Sequence, residues 1–187
     1  MAPTAATIRR KVAHALVSAG SLQFDNVAEA ELFVEKELSF AGGATYGGAT
    51  PCVELETSHG SYFICDMGSG LRPFGLDSLR RNSAGHSKTY NFFQSHLHWD
   101  HIMGFPFFAP AFDPNVTIRI HAGHPDAEQA LRRQQEEISF PVPFDWLRAD
   151  IQFVQLTPGE VHEVDGVKVE TILQHHSHGS YGYRFTD

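Results

Sequence analysis

Ser95-His96-Leu97-His98-Trp99-Asp100-His101 is the stretch that decides the fold, because it places three imidazoles and a carboxylate within six residues. An apolar run over residues 90–94 precedes it, and residues 104–112 that follow are apolar with two prolines. We therefore predict that a buried strand ends here and a loop begins. Side chains alternate along a strand, so His96 and His98 should point the same way, with Asp100 and His101 facing a second point nearby. This pattern suits two divalent metal ions side by side.

The spacing His-x-His-x-Asp-His directly behind an apolar strand resembles the signature of the metallo-β-lactamase fold superfamily. The loop is most similar to a hydrolase branch with phosphodiesterase-like and transfer-RNA-processing-like members. The resemblance implies an α/β fold of the αββα metallo-β-lactamase sandwich type. The alternative, a polar loop with solvated histidines, is suggested by the twelve histidines of the chain. It does not account for four potential ligands at this spacing.

The overall composition is that of a globular protein with one sizeable core, at 187 residues, 42% hydrophobic and 19% charged. No apolar run is long enough to span a membrane, and residues 1–11 do not form a signal peptide, so we expect a cytoplasmic location. The net charge of −8 argues against a broad nucleic-acid-binding surface without excluding nucleic acid. A small-molecule or phosphodiester substrate remains compatible, because bound cations would invert the local field.

Two predicted helices form a leader over residues 1–40, separate from a hydrolase domain over residues 41–187. In the first helix Ile8, Val12 and Leu16 recur at helical spacing. The second begins at Asn26, whose side chain can cap it while Glu29 completes a capping box. We find no chemistry in this leader.

A strand over residues 61–66 ends in Asp66-Met67-Gly68-Ser69-Gly70. This run resembles the Asp-x-Gly-x-Gly element of the superfamily. The resemblance implies that Asp66 supports the ligand loop as a hydrogen-bond acceptor without binding a metal itself. It also implies that Gly68, Ser69 and Gly70 offer backbone N–H groups to the substrate.

A third group of histidines lies in His175-His176-Ser177-His178, followed by Gly179-Ser180-Tyr181-Gly182-Tyr183-Arg184. In the branch that the chain resembles, a metal-binding histidine precedes a Gly-Ser-x-Gly-Tyr-Arg strand. This alignment favours His176, while His175 and His178 remain alternatives. His121 and His124 are interpreted as loop residues at the end of a strand.

The resemblance implies a metal-dependent hydrolase that cleaves a phosphodiester or similar ester through a metal-activated water. In this hypothesis His96, His98 and His176 bind the first metal, and Asp100 and His101 bind the second. Asp100 would also orient the attacking water. Zn²⁺ is the expected ion, and Mn²⁺ or iron also suits imidazole and carboxylate ligands.

The resemblance also implies a second half that would supply a bridging Asp and a final His, and neither follows residues 181–185 here. We therefore expect a C-terminally truncated sandwich, either a fragment or a chain completed by another copy. A half-sandwich would expose apolar surface, which favours a homo-oligomer. The short chain alone should then be a poor hydrolase. Alternatives are a degenerate, non-catalytic metal-binding or assembly protein, and a non-haem iron redox member of the same fold.

Overall fold

The computed structural model describes residues 4–43, 48–177 and 179–187. The chain forms two compact units, which divide between residues 49 and 50. The described part of the first unit contains helices α1 (Ala5–Ala19), α2 (Val27–Glu37) and α3 (Phe40–Gly43). The sequence predicts that the helical leader ends at residue 40, which is the first residue of α3 in the structure. No helix among the described residues is long and apolar enough to cross a membrane.

The N-terminus of α2 shows the predicted cap by Asn26, whereas the Glu29 carboxylate binds one residue earlier than a capping box requires. Asn26 Oδ1 accepts a hydrogen bond from the Glu29 backbone N–H at 3.0 Å, and Glu29 Oε2 accepts one from the Asp25 backbone N–H at 3.1 Å. One of the N–H groups that a helix start leaves without partners, that of Glu29, is thereby satisfied, and the second bond ties the residue before the cap to the helix.

The second unit contains a five-stranded sheet in the order β1-β2-β3-β4-β5, in which β1 is antiparallel and the others are parallel. Its strands are β1 (Val53–Leu55), β2 (Tyr62–Cys65), β3 (Thr89–Gln94), β4 (Thr117–Ala122) and β5 (Asp150–Gln155). An antiparallel sheet follows, with β6 (Val161–Val164), β7 (Val167–Gln174) and β8 (Ser180–Thr186). The helices of this unit are α4 (Leu71–Ser83), α5 (Trp99–Ile102) and α6 (Ala127–Gln134).

Both faces of the five-stranded sheet are buried. One face carries Ile64, Phe92 and Ile120, which pack with Leu71 of α4 and Leu131 of α6. The other face packs against the second sheet through a separate cluster that comprises Phe63, Phe93, Leu156, Val164, Val167 and Val169. Alternation along each strand sends successive side chains to opposite faces, so these strands read as continuous apolar runs. The described residues of the second unit thus form an α, β, β succession of layers.

The outer face of the second sheet exposes apolar side chains. Val161 and Ile172 are 59% and 62% exposed, and the strand register places both on the side away from the core. Self-association of the chain stays a prediction.

The structure places His121 in a strand, whereas the sequence predicts a loop. It belongs to β4 and is 3% exposed, because the strand continues to Ala122 and its second face, which carries His121, is also covered. Its ring stacks on Phe93 with centroids 4.8 Å apart, and its Nε2 lies 3.2 Å from Asn91 Oδ1. His121 is therefore a core residue.

The burial of His121 makes the stability of the fold depend on pH. Burial and the nearby Arg119 lower the pKa of His121 from 6.5 to about 4. Below pH 6.5 the unfolded chain binds a proton here that the folded chain does not. The free energy of unfolding should therefore fall by about 2.5 kcal/mol more for the wild type than for His121→Gln between about pH 7 and about pH 4.5. Urea unfolding of both proteins at the two pH values measures this difference, and equal losses would contradict the prediction.

Candidate metal centre

The histidine loop, residues 95–101, begins where β3 ends at Gln94. It leaves the sheet in extended conformation, with φ −65° and ψ 150° at His98, and then enters the short helix α5. The carboxyl ends of the parallel strands β2 and β4 lie at the same edge of the sheet. Ligands of α/β proteins commonly bind at this edge.

The structure brings together His96 and His98 of this loop and His176, which follows β7. One potential ligand atom of each lies within 4.8 Å of the others. The ring centroids of His96 and His98 are 4.6 Å apart, and those of His98 and His176 are 5.0 Å apart. Three imidazoles converging in this way form a set of donors that suits a divalent ion.

Hydrogen bonds at Nδ1 leave Nε2 as the ligand atom in two of these three rings. His176 Nδ1 lies 2.9 Å from the carbonyl oxygen of Ser177, to which it can only donate. His96 Nδ1 lies 3.0 Å from Ser95 Oγ, which itself donates to Asp66. A histidine that donates from Nδ1 keeps a lone pair on Nε2, as metal-ligating histidines usually do. These contacts therefore fit a bound cation.

The electrostatics of His96 agree with this assignment. Its burial, followed by the proximity of His101, His98 and His176, lowers the pKa of His96. A buried imidazole among other imidazoles is held in its neutral form, which is the form that binds a metal.

Asp100 and His101, which the sequence predicts to face a second point, lie next to the three histidines. Asp100 Oδ2 is 3.6 Å from His101 Nε2, and the His101 ring centroid is 4.0 Å from that of His96. The Asp100 side chain is 57% exposed. This pair could share a second ion or a water molecule next to the three histidines.

Asp66 lies beside the histidine loop as a hydrogen-bond acceptor. Its Oδ2 is 2.7 Å from His101 Nδ1, and its Oδ1 accepts from the Ser95 backbone N–H at 2.8 Å. Asp66 adopts a left-handed backbone with φ 63°, which Asp tolerates better than most residues. This conformation turns the carboxylate from the end of β2 towards the loop.

Two residues that support the loop were not identified from the sequence. Gln94 Nε2 donates to the carbonyl oxygens of His96 at 2.6 Å and His101 at 3.1 Å, so one amide ties both ends of the loop. Tyr183 Oη donates to the Gln94 carbonyl oxygen at 2.6 Å, which connects β8 to the same point. A polar residue closing an apolar strand was the only sequence signal for Gln94.

The turn Gly68-Ser69-Gly70 does not present the substrate donors that the sequence predicted. The N–H of Gly68 donates to the Pro51 carbonyl at 2.7 Å, and that of Gly70 to the Thr50 carbonyl at 3.3 Å. The N–H of Ser69 donates to Thr50 Oγ1 at 2.6 Å. All three donors are therefore satisfied within the protein.

The glycines of this turn instead allow the backbone of the metal loop to approach. A Cβ added at Gly68 would lie 2.5 Å from the carbonyl oxygens of Asp100 and Pro51. The N–H of Met67 donates to the His101 carbonyl, and that of Gly104 to the Met67 carbonyl, each at 2.8 Å. The turn thus fixes the backbone that carries Asp100 and His101.

Replacing Asp66 by Asn should weaken metal binding while the fold survives. The amide cannot accept all of the bonds that orient His101 and Ser95, so metal affinity should fall by roughly 10–100-fold. Competition with a chelator measures the affinity, and circular dichroism checks folding. Asp113→Asn is the matched control, because Asp113 pairs with Lys88 on the surface. An Asp66→Asn protein with wild-type affinity would contradict the assigned role.

The other histidines considered in place of His176 do not join His96 and His98 in the described part of the structure. His175 is exposed and is not part of the three-histidine group. His178 lies outside the residues that the structure describes. His124, in the loop after β4, lines a cavity of about 780 Å³ beside the centre, together with His96, His98, Trp99 and Arg133.

Comparison with known proteins identifies a family model and similar folds. The model described as the Metallo-beta-lactamase superfamily matches residues 93–187. The metallo-beta-lactamase fold protein YhfI from Bacillus subtilis is 19% identical, with a TM-score of 0.52. The match covers 76% of this chain and 54% of the YhfI chain. Unliganded yeast PDE1 is 17% identical, with a TM-score of 0.53. The match covers 74% of this chain and 57% of the PDE1 chain.

At these identities the similarity shows the fold alone. The chain spans about half the length of the solved structures it matches. No curated protein matches the sequence.

Proposed function

The chain belongs to the metallo-β-lactamase superfamily, and from this premise we propose that it is a metal-dependent hydrolase acting on a phosphodiester or a similar ester. The observation that carries the proposal is the convergence of His96, His98 and His176 to within 4.8 Å of one another. We assign Zn²⁺ to this group, with Mn²⁺ or iron as alternatives, because all suit imidazole ligands.

The residues around the three histidines have separate tasks in this proposal. A bound ion would supply a water of lowered pKa and polarise the scissile group. Asp100, exposed and 3.6 Å from His101, can accept a hydrogen bond from that water and orient it. Asp66 holds the His101 ring in position through the 2.7 Å bond to Nδ1.

The choice of a phosphodiester rests on two arguments. The histidine loop resembles that of a branch with phosphodiesterase-like members, and the cavity beside it contains Arg133. A guanidinium is suited to an anionic ester, because it combines a permanent charge with several donors. We propose a phosphodiester or a similar ester as the substrate of the whole protein as well. We also propose that the protein is located in the cytoplasm.

The test measures metal content and turnover together. The protein is stripped with a chelator, reloaded with Zn²⁺ or Mn²⁺, and assayed with bis(p-nitrophenyl) phosphate, p-nitrophenyl phosphate and p-nitrophenyl acetate. Because the short chain is predicted to be a poor hydrolase, we expect slow, metal-dependent hydrolysis of the diester at a rate above that of the monoester. A protein that binds metal stoichiometrically but hydrolyses none of the three esters would overturn the proposal.

A non-catalytic metal-binding protein is the second candidate. One observation favours it: within residues 4–43, 48–177 and 179–187, the three-histidine group is the only set of three potential ligands that converges on one point. Asp100 and His101 form only a pair. Bound metal without ester hydrolysis would support this candidate. If the bound metal is iron, the same result would favour a non-haem iron redox protein.

A further inference from the structure

We propose that the cavity beside the three histidines is a substrate subsite for a planar aromatic group, which stacks on Trp99 while Arg133 faces the single negative charge of the ester. The inference rests on the proposed hydrolase function and names the class of substrate: a monoanionic diester whose retained group is an aryl ring. It concerns binding, and two of the proposed metal ligands, His96 and His98, also line the cavity.

The size and walls of the cavity suit a small organic molecule. Its volume of about 780 Å³ lies within the usual range for small-molecule sites. The apolar side chains that line it are Leu97, Trp99, Ile102 and Ala130. Trp99 directly follows His98, so a ring that covers it lies beside the proposed metal ligands.

Trp99 presents a large apolar surface to water. Its side chain is 61% exposed, although it lies in a cavity and in the middle of the ligand motif. An exposed indole next to a binding site is stabilised by a second ring stacked on it or packed edge-to-face, beyond the gain from buried area. This observation favours an aryl group over a peptide or an alkyl chain.

Arg133 offers a charge that the protein itself does not use. The adjacent Arg132 is paired with Glu128 and Asp145 at 2.8 and 2.7 Å and lies over the Phe144 ring. Among the described residues, Arg133 forms no ion pair and lines the cavity from α6. Its guanidinium is therefore available to a ligand.

The carboxylates of the cavity limit the charge of that ligand. Asp126 and Glu136 also line it, and Asp126 Oδ2 lies 3.6 Å from His124 Nδ1. Two carboxylates and one guanidinium in the same cavity lining disfavour a multiply charged anion. A diester with a single charge fits this balance better than a phosphate monoester or a polyphosphate.

The first experiment compares two diesters that share a leaving group, bis(p-nitrophenyl) phosphate and methyl p-nitrophenyl phosphate. Trp99→Ala should lower kcat/KM for the first by about 10-fold and change the second by less than about 2-fold. Trp146→Ala is the control, because Trp146 is 65% exposed and does not line the cavity. Equal losses for both diesters, or no loss for either, would overturn the subsite.

The second experiment measures binding without turnover. Titration calorimetry with the zinc-loaded protein compares diphenyl phosphate with diethyl phosphate, and we expect tighter binding of the aryl diester. Arg133→Gln should weaken diphenyl phosphate by about 5-fold, whereas Arg132→Gln, which removes the same charge from the same helix, should not. Equal binding of both diesters would overturn the subsite.

The two experiments separate this inference from the proposed function. Preferential binding of diphenyl phosphate that is lost in Trp99→Ala, without hydrolysis of any ester, would support the subsite and reject the hydrolase. Hydrolysis of both diesters with no effect of Trp99→Ala would reject the subsite and support the hydrolase.

Discussion

The His176→Ala variant is expected to lose its bound divalent ion, whereas His175→Ala should retain it. His176 is one of three imidazoles whose ligand atoms lie within 4.8 Å of one another, and its exposed neighbour His175 is outside this group. Loss of a supporting residue alone costs roughly 10–100-fold in metal affinity or activity. Loss of a direct ligand should exceed the upper end of that range.

Metal content by mass spectrometry and affinity by chelator competition measure this effect independently of activity. The pair of variants differs by one position along the chain, so general effects on folding or charge should be similar in both. A His175→Ala protein that loses the metal while His176→Ala retains it would exchange the two assignments. Retention in both would remove His176 and its neighbour from the centre.

Gly104→Ala should destabilise the second unit by about 3 kcal/mol, the upper end of the usual cost of overpacking, because the contacts are with rigid atoms. A Cβ at Gly104 would overlap the carbonyl oxygen of Gly68 and lie 2.9 Å from that of Met67. Both contacts are with backbone atoms, which cannot rotate away as a side chain can. The same change should displace the histidine loop, because Gly104 follows α5.

Thermal and urea unfolding measure the stability of this variant. A loss of about 3 kcal/mol corresponds to a lowering of Tm by about 6–12 °C for a chain of this size. Gly60→Ala is the matched control, because a Cβ at Gly60 meets nothing within 4 Å. Similar stabilities of the two variants would show that the Gly68 turn moves aside easily.

The strand alternation and the family resemblance allowed the centre to be predicted. Alternation predicted that His96 and His98 would point the same way, and the aligned Gly-Ser-x-Gly-Tyr-Arg strand favoured His176. Spacing alone could not choose between His175 and His176, because the chain leaves β7 here and a turn has no fixed period. The three-dimensional arrangement makes the choice between these two by bringing His176, and not His175, to the others.

Contacts between distant segments could not be predicted in the same way. The role of Gln94 depends on Tyr183, which lies 89 residues along the chain, and no local pattern encodes that pair. The N–H groups of Gly68 and Gly70 are satisfied by residues 50 and 51, so a glycine-rich turn that looked like a donor site is a packing element. His121 was misplaced because a polar residue at a strand end resembles a loop residue until its neighbours are known.

The Ser95 hydroxyl lies between the two halves of the centre. It is 3.0 Å from His96 Nδ1 and 3.4 Å from His101 Nδ1, and it donates to the carboxylate of Asp66. An ion that immobilises His96 also restrains this hydroxyl and, through Asp66, the His101 ring. If an ion also binds at Asp100 and His101, each ion changes the affinity for the other by the same factor, because linkage between two sites is reciprocal.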